Sequence, residues 1–371
     1  MIKQIKILSL FVWLSWFFLQ QGAIYGQSLP AALPAAAQQK IDSLVENFRQ
    51  ERQVPGISVS IAWRGSLVFS KGYGLADVEQ QVPVVPDRTL FRIASISKTL
   101  TADALMHLVE AGQLDLDSPV QQYVPAFPAK RWPVTVRQVA GHLGGIRHYR
   151  NQEFLLNKHY NSVNESLDIF KDDSLLFEPG SRFSYSSYGY NLLSAVIEGA
   201  SGMSYLDYMQ QKVLAPLGMQ QTVADKLLPV IPGRGRYYMV QDSLLLNAPN
   251  VDNSYKWAGG GYLSTSEDLI RFALGHLRPG YLSAASWQTL TTSQHTTEGR
   301  PTGYGIGWVT QTDNRGHHWV GHSGGAIGGT AKLVIYPDEE IVIVILTNLT
   351  SARLGDMPHQ LAWVVMEQAG H

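Results

Sequence analysis

The chain has no cysteine among its 371 residues. That absence excludes disulfides, thiolate chemistry, cysteine zinc sites and a lipid-anchored cysteine. An excess of either charge is missing too. Twenty-nine basic and 30 acidic side chains leave a formal charge of -1, which suits neither a nucleic-acid partner nor an anionic membrane surface. Long hydrophobic runs are scarce. The run from Ile7 to Phe18 follows Lys3 and Lys6 and gives way to small and polar residues before Gly26 and Gln27. It is short for a bilayer span, and its layout predicts a secretory signal peptide over 1–26. No arginine precedes Arg49, so an Arg-rich mitochondrial presequence is excluded. The expectation is a secreted or periplasmic protein with no membrane span after cleavage; an uncleaved anchor is the alternative. Cleavage removes two lysines and no acid, so 27 basic and 30 acidic residues remain and the charge becomes -3.

What is present is a chain with 45% hydrophobic residues, enough to fill one large core or two merged lobes. "LPAALPAAA" (29–37) reads as part of a spacer over 27–37. Ile41, Leu44, Val45 and Phe48 then mark one face of a helix. "GISVSIAW" and "SLVFSKGYG" are strand-like runs joined at Arg64-Gly65, and "TAKLVIY" and "EIVIVILTN" flank the turn "PDE". The stretch from about Ser351 to Gly370 is helical by pattern. Between these ends, "SKTLTADALMHLVEAGQ" predicts a helix closed by Gly112, and "GYNLLSAVIEGASG" one closed by Gly199 or Gly202. "LSTSEDLIRFAL" predicts a helix with a capping box from Ser264 to Glu267. The expected fold is α/β (α+β). Terminal strands form an antiparallel sheet flanked by helices, over about 38–90 and 290–371, and a mostly helical lobe over about 91–289 is inserted.

The chemistry begins at "RIASISK". Ser95 and Lys98 are three apart at a helix start, hence on one face. A serine hydroxyl becomes a nucleophile when a neighbour takes its proton, and Lys98 serves if burial or nearby charge lowers its pKa. Serine-x-x-lysine alone is weak; a helix cap and a solvated lysine also fit it. "FSYSSYGYNLL" adds Tyr185 and Ser187, two apart and able to face one cleft. "GHSGG" adds His322, Ser323 and glycines that admit a close backbone and an oxyanion donor.

With these segments the chain resembles the penicillin-binding-protein and class C β-lactamase-like serine hydrolases. "RIASISK", "GIRHY", "YSSYGYNLL", "SYLDYMQ", "VDNSYKWAGGGYLST" and "GHSGGAIG" carry the likeness, in family order, from about Ile41 to Leu349. The resemblance implies a cofactor-free enzyme with Ser95 as acylated nucleophile and Lys98 as its proton partner. Tyr185 would be a second base, its phenolate favoured by Lys98. The backbone N–H groups of Ser95 and Gly325 would form the oxyanion hole. Ser187, His322, Ser323 and Gly324 would contact substrate. Peptides or amides are the first expected substrates, then esters, then β-lactams, with a true β-lactamase or D-Ala-D-Ala carboxypeptidase as variants. Class C enzymes carry Asn where this chain has Ser187 and Lys where it has His322, which weakens the case for β-lactam turnover. A filament-forming family member also implies a homo-oligomer or filament, and a catalytically silent assembly protein as the competing class.

"GHSGG" is also a G-x-S-x-G, the pattern of a serine on a strand-to-helix elbow. Asp338 and His359 follow in the order of a triad, but the sequence after Ser323 is glycine-rich and then β-like, with no helix to complete an elbow. His317, His318 and His322 lack metal-binding spacing and read as structural, so no metal is expected. "GIRHYR" (145–150) borders the cleft as a lid or a surface loop, and Tyr255, Lys256 and Trp257 belong to a cleft wall.

Overall fold

The computed structural model describes residues 32–369. The expected signal peptide and the first part of the spacer lie outside them. The rest of that spacer is not a spacer. Helix α1 (Ala35–Glu51) begins within it, and Leu33 and Ala37 are buried with Ile41 and Val45. An alanine- and glutamine-rich start has high helix propensity, and one apolar position per turn suffices to dock it.

Seven strands form the main sheet: β1 (Gly56–Trp63), β2 (Ser66–Asp77), β3 (Val82–Pro83), β4 (Val309–Thr312), β5 (His318–Ala326), β6 (Gly329–Tyr336) and β7 (Ile341–Thr347). Their order is β3-β2-β1-β7-β6-β5-β4, with antiparallel neighbours throughout. The two ends of the chain meet at the centre, where Ile57 faces Thr347 and Trp63 faces Ile341. Arg64 and Gly65 both have positive φ, 48° and 77°, the geometry that lets a two-residue turn follow the strand twist.

The sheet buries both faces, so β1 and β7 read as continuous buried runs rather than alternating ones. One face carries Ile57, Val59, Ile61, Ile343 and Ile345 against α1 and the C-terminal helix Met357–Met366. The other carries Val342, Val344 and Leu346 toward helices α2 (Ser97–Glu110), α3 (Ser187–Ser201) and α4 (Ser266–His276). On that face β1 presents Ser58 and Ser60, each 2.7 Å from the Ser266 hydroxyl at the start of α4. Small side chains there let α4 sit directly on the sheet. The chain thus returns to the sheet inside the range expected for the helical lobe.

The cap of α4 differs by one residue from the sequence reading. Thr265, not Ser264, accepts the Asp268 N–H, while Ser264 ends a short strand (Tyr262–Ser264) and Glu267 accepts from Ser70. Adjacent hydroxyls at 264, 265 and 266 gave three near-equal frames, and strand pairing of Tyr262–Ser264 selects one. Helix α3 is capped by Ser186 and ends at Gly202 in the left-handed region. A three-stranded ribbon, Phe91–Arg92, Tyr262–Ser264 and Val223–Ala224, leads the chain into the turn that carries Ser95.

Candidate active site

From Arg92 the backbone is pinned by the Ile93 N–H bond to the Tyr262 carbonyl, then enters a tight turn (Ala94–Ile96) that feeds α2. Ala94 has φ +47°, a left-handed conformation costly for a residue with a Cβ. Ser95 is half-buried at this turn. One turn on, the fully buried Lys98 Nζ lies within hydrogen-bond reach of Ser95 Oγ at 3.1 Å, Ser187 Oγ at 3.2 Å and the Gly259 carbonyl. Burial, then the charge of Lys256, pushes the Lys98 ammonium well below its usual pKa. It is a poised amine beside a hydroxyl.

Tyr185 closes the group, lining the same cleft as Ser95 and Ser187. Its ring lies 4.9 Å from Lys98 Nζ. Burial raises the phenol above its ordinary value and outweighs the lowering influence of the Ser95 and Ser187 hydroxyls. Burial thus acts against the expected Lys98-favoured phenolate, and it disfavours the ammonium of Lys98 as well. Ser187 is the first residue of α3, not part of an extended segment, yet both hydroxyls still line one cleft.

Strand β5 divides the remaining candidates. His322 points toward the helical side but is buried beneath the cleft. Its Nδ1 donates to the Ser323 carbonyl at 2.7 Å, so Nε2 accepts the Tyr304 hydroxyl at 2.9 Å. Burial, then Lys98, lowers its pKa to about 3. Neutral and enclosed, it offers substrate no cation and lines no part of the cleft, which corrects the expected substrate contact. Ser323 faces the opposite side of the sheet, where Lys332 donates to its hydroxyl at 3.0 Å and stacks over Trp319. It lines no part of the cleft, correcting the expected substrate contact. The same geometry disposes of the elbow. Gly321 to Gly325 lie within one continuous strand that turns into β6, and His359 is engaged by Tyr336.

Gly324 and Gly325 differ in kind. A Cβ at Gly324 would stand 2.2 Å from the Ile93 carbonyl, so glycine lets β5 press against the nucleophile turn. A Cβ at Gly325 would meet nothing within 4 Å. Gly325 lines the cleft with Ser95. Gly324→Ala is expected to cost about 1–3 kcal/mol in a urea melt, an overpacking penalty. Gly325→Ala should stay within about 0.5 kcal/mol.

The cleft holds about 480 Å³ and is lined by Ser95, Tyr185, Ser187, His148, Tyr149, Lys256 and Gly325, among others. "GIRHYR" does border it, and of its two arginines only Arg150 is exposed. Arg147 is buried and paired with Glu153 and Asp173 at 2.7 and 2.5 Å. Sequence reading assigned no role to His148. A histidine in a loop gives no periodic signal, and its place follows from the buried Arg147. Of the expected wall residues, Lys256 lines the cleft, its Nζ over the Tyr149 and Tyr255 rings, while Tyr255 and Trp257 are packed in the core. Burial, then Arg92, lowers its pKa to about 7. His317 and His318 are held by Glu339 and Thr310.

The charge of Lys256 makes a prediction. Below pH about 7 its ammonium disfavours a proton on Lys98; above it that influence fades. In Lys256→Met, acylation of Ser95 at pH 6 should fall about two- to fivefold, the reach of one partly screened charge. Above pH 8 the two proteins should coincide, and a uniform loss at every pH would remove the electrostatic role.

A family profile described as Beta-lactamase matches residues 41–364. The human mitochondrial serine beta-lactamase-like protein LACTB is 35% identical, over 86% of this chain and 78% of its own. Protein flp of Staphylococcus aureus is 28% identical, over 88% of this chain and 66% of its own. Among solved structures, the octameric penicillin-binding protein homologue from Pyrococcus abyssi superposes with a TM-score of 0.76 at 30% identity, covering 90% of this chain and 77% of that one. Among the described residues, no helix is long and apolar enough to cross a membrane.

Proposed function

The chain belongs to the β-lactamase family of penicillin-binding-protein-like serine hydrolases, and from that premise we propose an exported enzyme that acylates Ser95 with a peptide, an amide or an ester and then hydrolyses the acyl group. The observation that carries this reading is the Lys98 amine, buried and 3.1 Å from Ser95 Oγ. In the proposed step Ser95 Oγ bonds to the substrate carbonyl carbon as its proton passes to Lys98. The carbonyl oxygen takes the negative charge, met by the Ser95 and Gly325 N–H groups. The tetrahedral adduct then expels its amine or alcohol, which receives a proton through Tyr185, resupplied from Lys98. A water repeats the sequence on the acyl carbon and frees Ser95.

Substrate preference follows from what the cleft offers. A short Ser187 hydroxyl stands where class C enzymes carry an amide, and the neutral His322 supplies no charge, so peptides, amides and esters rank ahead of β-lactams. One observation supports a second, compatible role in assembly. The strand Leu244–Asn247 exposes Leu244, Leu245 and Leu246 together at the surface, an edge suited to another copy of the chain. The test of the enzyme reading is intact-mass spectrometry after incubation with a fluorophosphonate and, separately, a penicillin. One adduct per chain is expected with the fluorophosphonate. No adduct from either reagent would transfer the weight to assembly, read by light scattering.

A further inference from the structure

The first N–H groups of a helix have no partner within it. In α3 they are met unusually. The Ser186 side chain accepts from Gly189, while the Ser186 N–H itself is taken by His142 Nδ1 at 3.2 Å and the Ser187 N–H by His148 Nδ1 at 3.1 Å. Two imidazoles therefore hold two successive amides immediately after Tyr185. Their rings also flank its ring, at centroid distances of 4.3 and 5.6 Å. The Ser186 hydroxyl donates to the Arg147 carbonyl at 2.7 Å, tying the same loop to the same helix start.

An imidazole nitrogen accepts a hydrogen bond only while unprotonated, so each of these bonds exists in one charge state. His142 is sealed in the interior, whereas His148 lines the cleft. We propose that His148 is a positioning residue that fixes Tyr185 and Ser187 against Lys98 through its unprotonated Nδ1, and that proton uptake by His148 releases this segment. The inference rests on acyl transfer at Ser95, as proposed above. The charged groups facing His148 are Lys98, which disfavours its proton, and Glu153, which favours it; Tyr149 and Tyr185 pack on its ring, and Lys256 lines the same cleft. Burial, then Lys98, lowers the His148 pKa to about 4. The ordinary value is near 6.5. A folded-state value below the ordinary one means the clamp is at full strength above pH 6.5. It weakens as pH falls toward 4.

Asparagine separates position from packing, because its Oδ1 accepts where Nδ1 does but does not titrate. In His148→Ala the limiting acylation rate with a fluorophosphonate at pH 7.5 should fall about three- to tenfold, as expected for one lost hydrogen bond. The reagent concentration for half-maximal rate should hold, since the reagent's own contacts remain. His148→Asn should recover to within about twofold of wild type. Equal impairment of both variants, or of neither, would overturn the proposal. A second readout needs no activity and so separates this inference from the enzyme reading. In histidine-labelled protein, the ¹⁵N shifts of His148 should show a bare Nδ1 at pH 7. Its protonation on acidification should move the Ser187 amide resonance. A protonated Nδ1 at pH 7, or a Ser187 amide blind to that titration, would refute the clamp even if Ser95 acylates normally.

Discussion

Ser95→Ala should abolish the fluorophosphonate adduct and lower ester or amide turnover by at least about three orders of magnitude, whereas Ser323→Ala should leave both within about twofold. The asymmetry follows from what each hydroxyl touches. Ser95 Oγ receives the Lys98 amine at 3.1 Å and opens onto the cleft. The Ser323 hydroxyl also meets a lysine, Lys332 at 3.0 Å, but on the far face of the sheet and outside the cleft. Two serine–lysine contacts of nearly equal length thus have different meanings. Lys332 is drawn down by burial, as Lys98 is, yet Ser323 lies outside the cleft that Ser95 and Gly325 share. Intact mass on the two variants decides between them. An adduct that persists in Ser95→Ala and vanishes in Ser323→Ala would overturn the assignment of the nucleophile.

Much of this was legible in the sequence because it is local. Ser95 and Lys98 share a helical turn, so spacing alone brings them to one side; Tyr185 and Ser187 also reach one cleft, but across a helix start and not along the extended segment that their spacing suggested. The strands were legible for a similar reason: β-branched runs with Arg64-Gly65 between them leave few alternatives. His322 and Ser323 were misjudged because strand parity had to be known. A strand turns adjacent residues to opposite faces, so both cannot serve one cleft. Charge states were the other blind spot. His322 and Tyr185 are set by burial that no motif reports, and desolvation is the largest influence on both. The spacer was misjudged because Leu33 docks through a tertiary contact that its alanine-rich surroundings do not announce.

The stability of the protein should depend on pH through Lys98, and Lys98→Met should remove that dependence together with activity. The sign follows from proton counting. In the unfolded chain a lysine holds its proton up to about pH 10.4. In the folded chain burial releases it well below that. Between the two values the unfolded state binds one more proton, so unfolding free energy rises with pH by about 1.4 kcal/mol per unit. The gain is complete above the unfolded value and lost as pH falls toward the folded one. Lys256 adds a contribution of the same sign above about pH 7, and the buried tyrosines act oppositely above pH 10, where an unfolded phenol ionises. Both terms remain in the variant. The difference between wild type and Lys98→Met in urea melts from pH 7 to 9 therefore isolates Lys98, and it should grow in favour of wild type by up to about 1.4 kcal/mol per unit. Turnover should meanwhile fall about 10²- to 10⁴-fold, the usual scale for losing a general base. Parallel stability curves would mean that Lys98 is protonated in the folded protein at neutral pH. It could not then accept the Ser95 proton, and the amine beside the nucleophile would be an electrostatic anchor instead of a base.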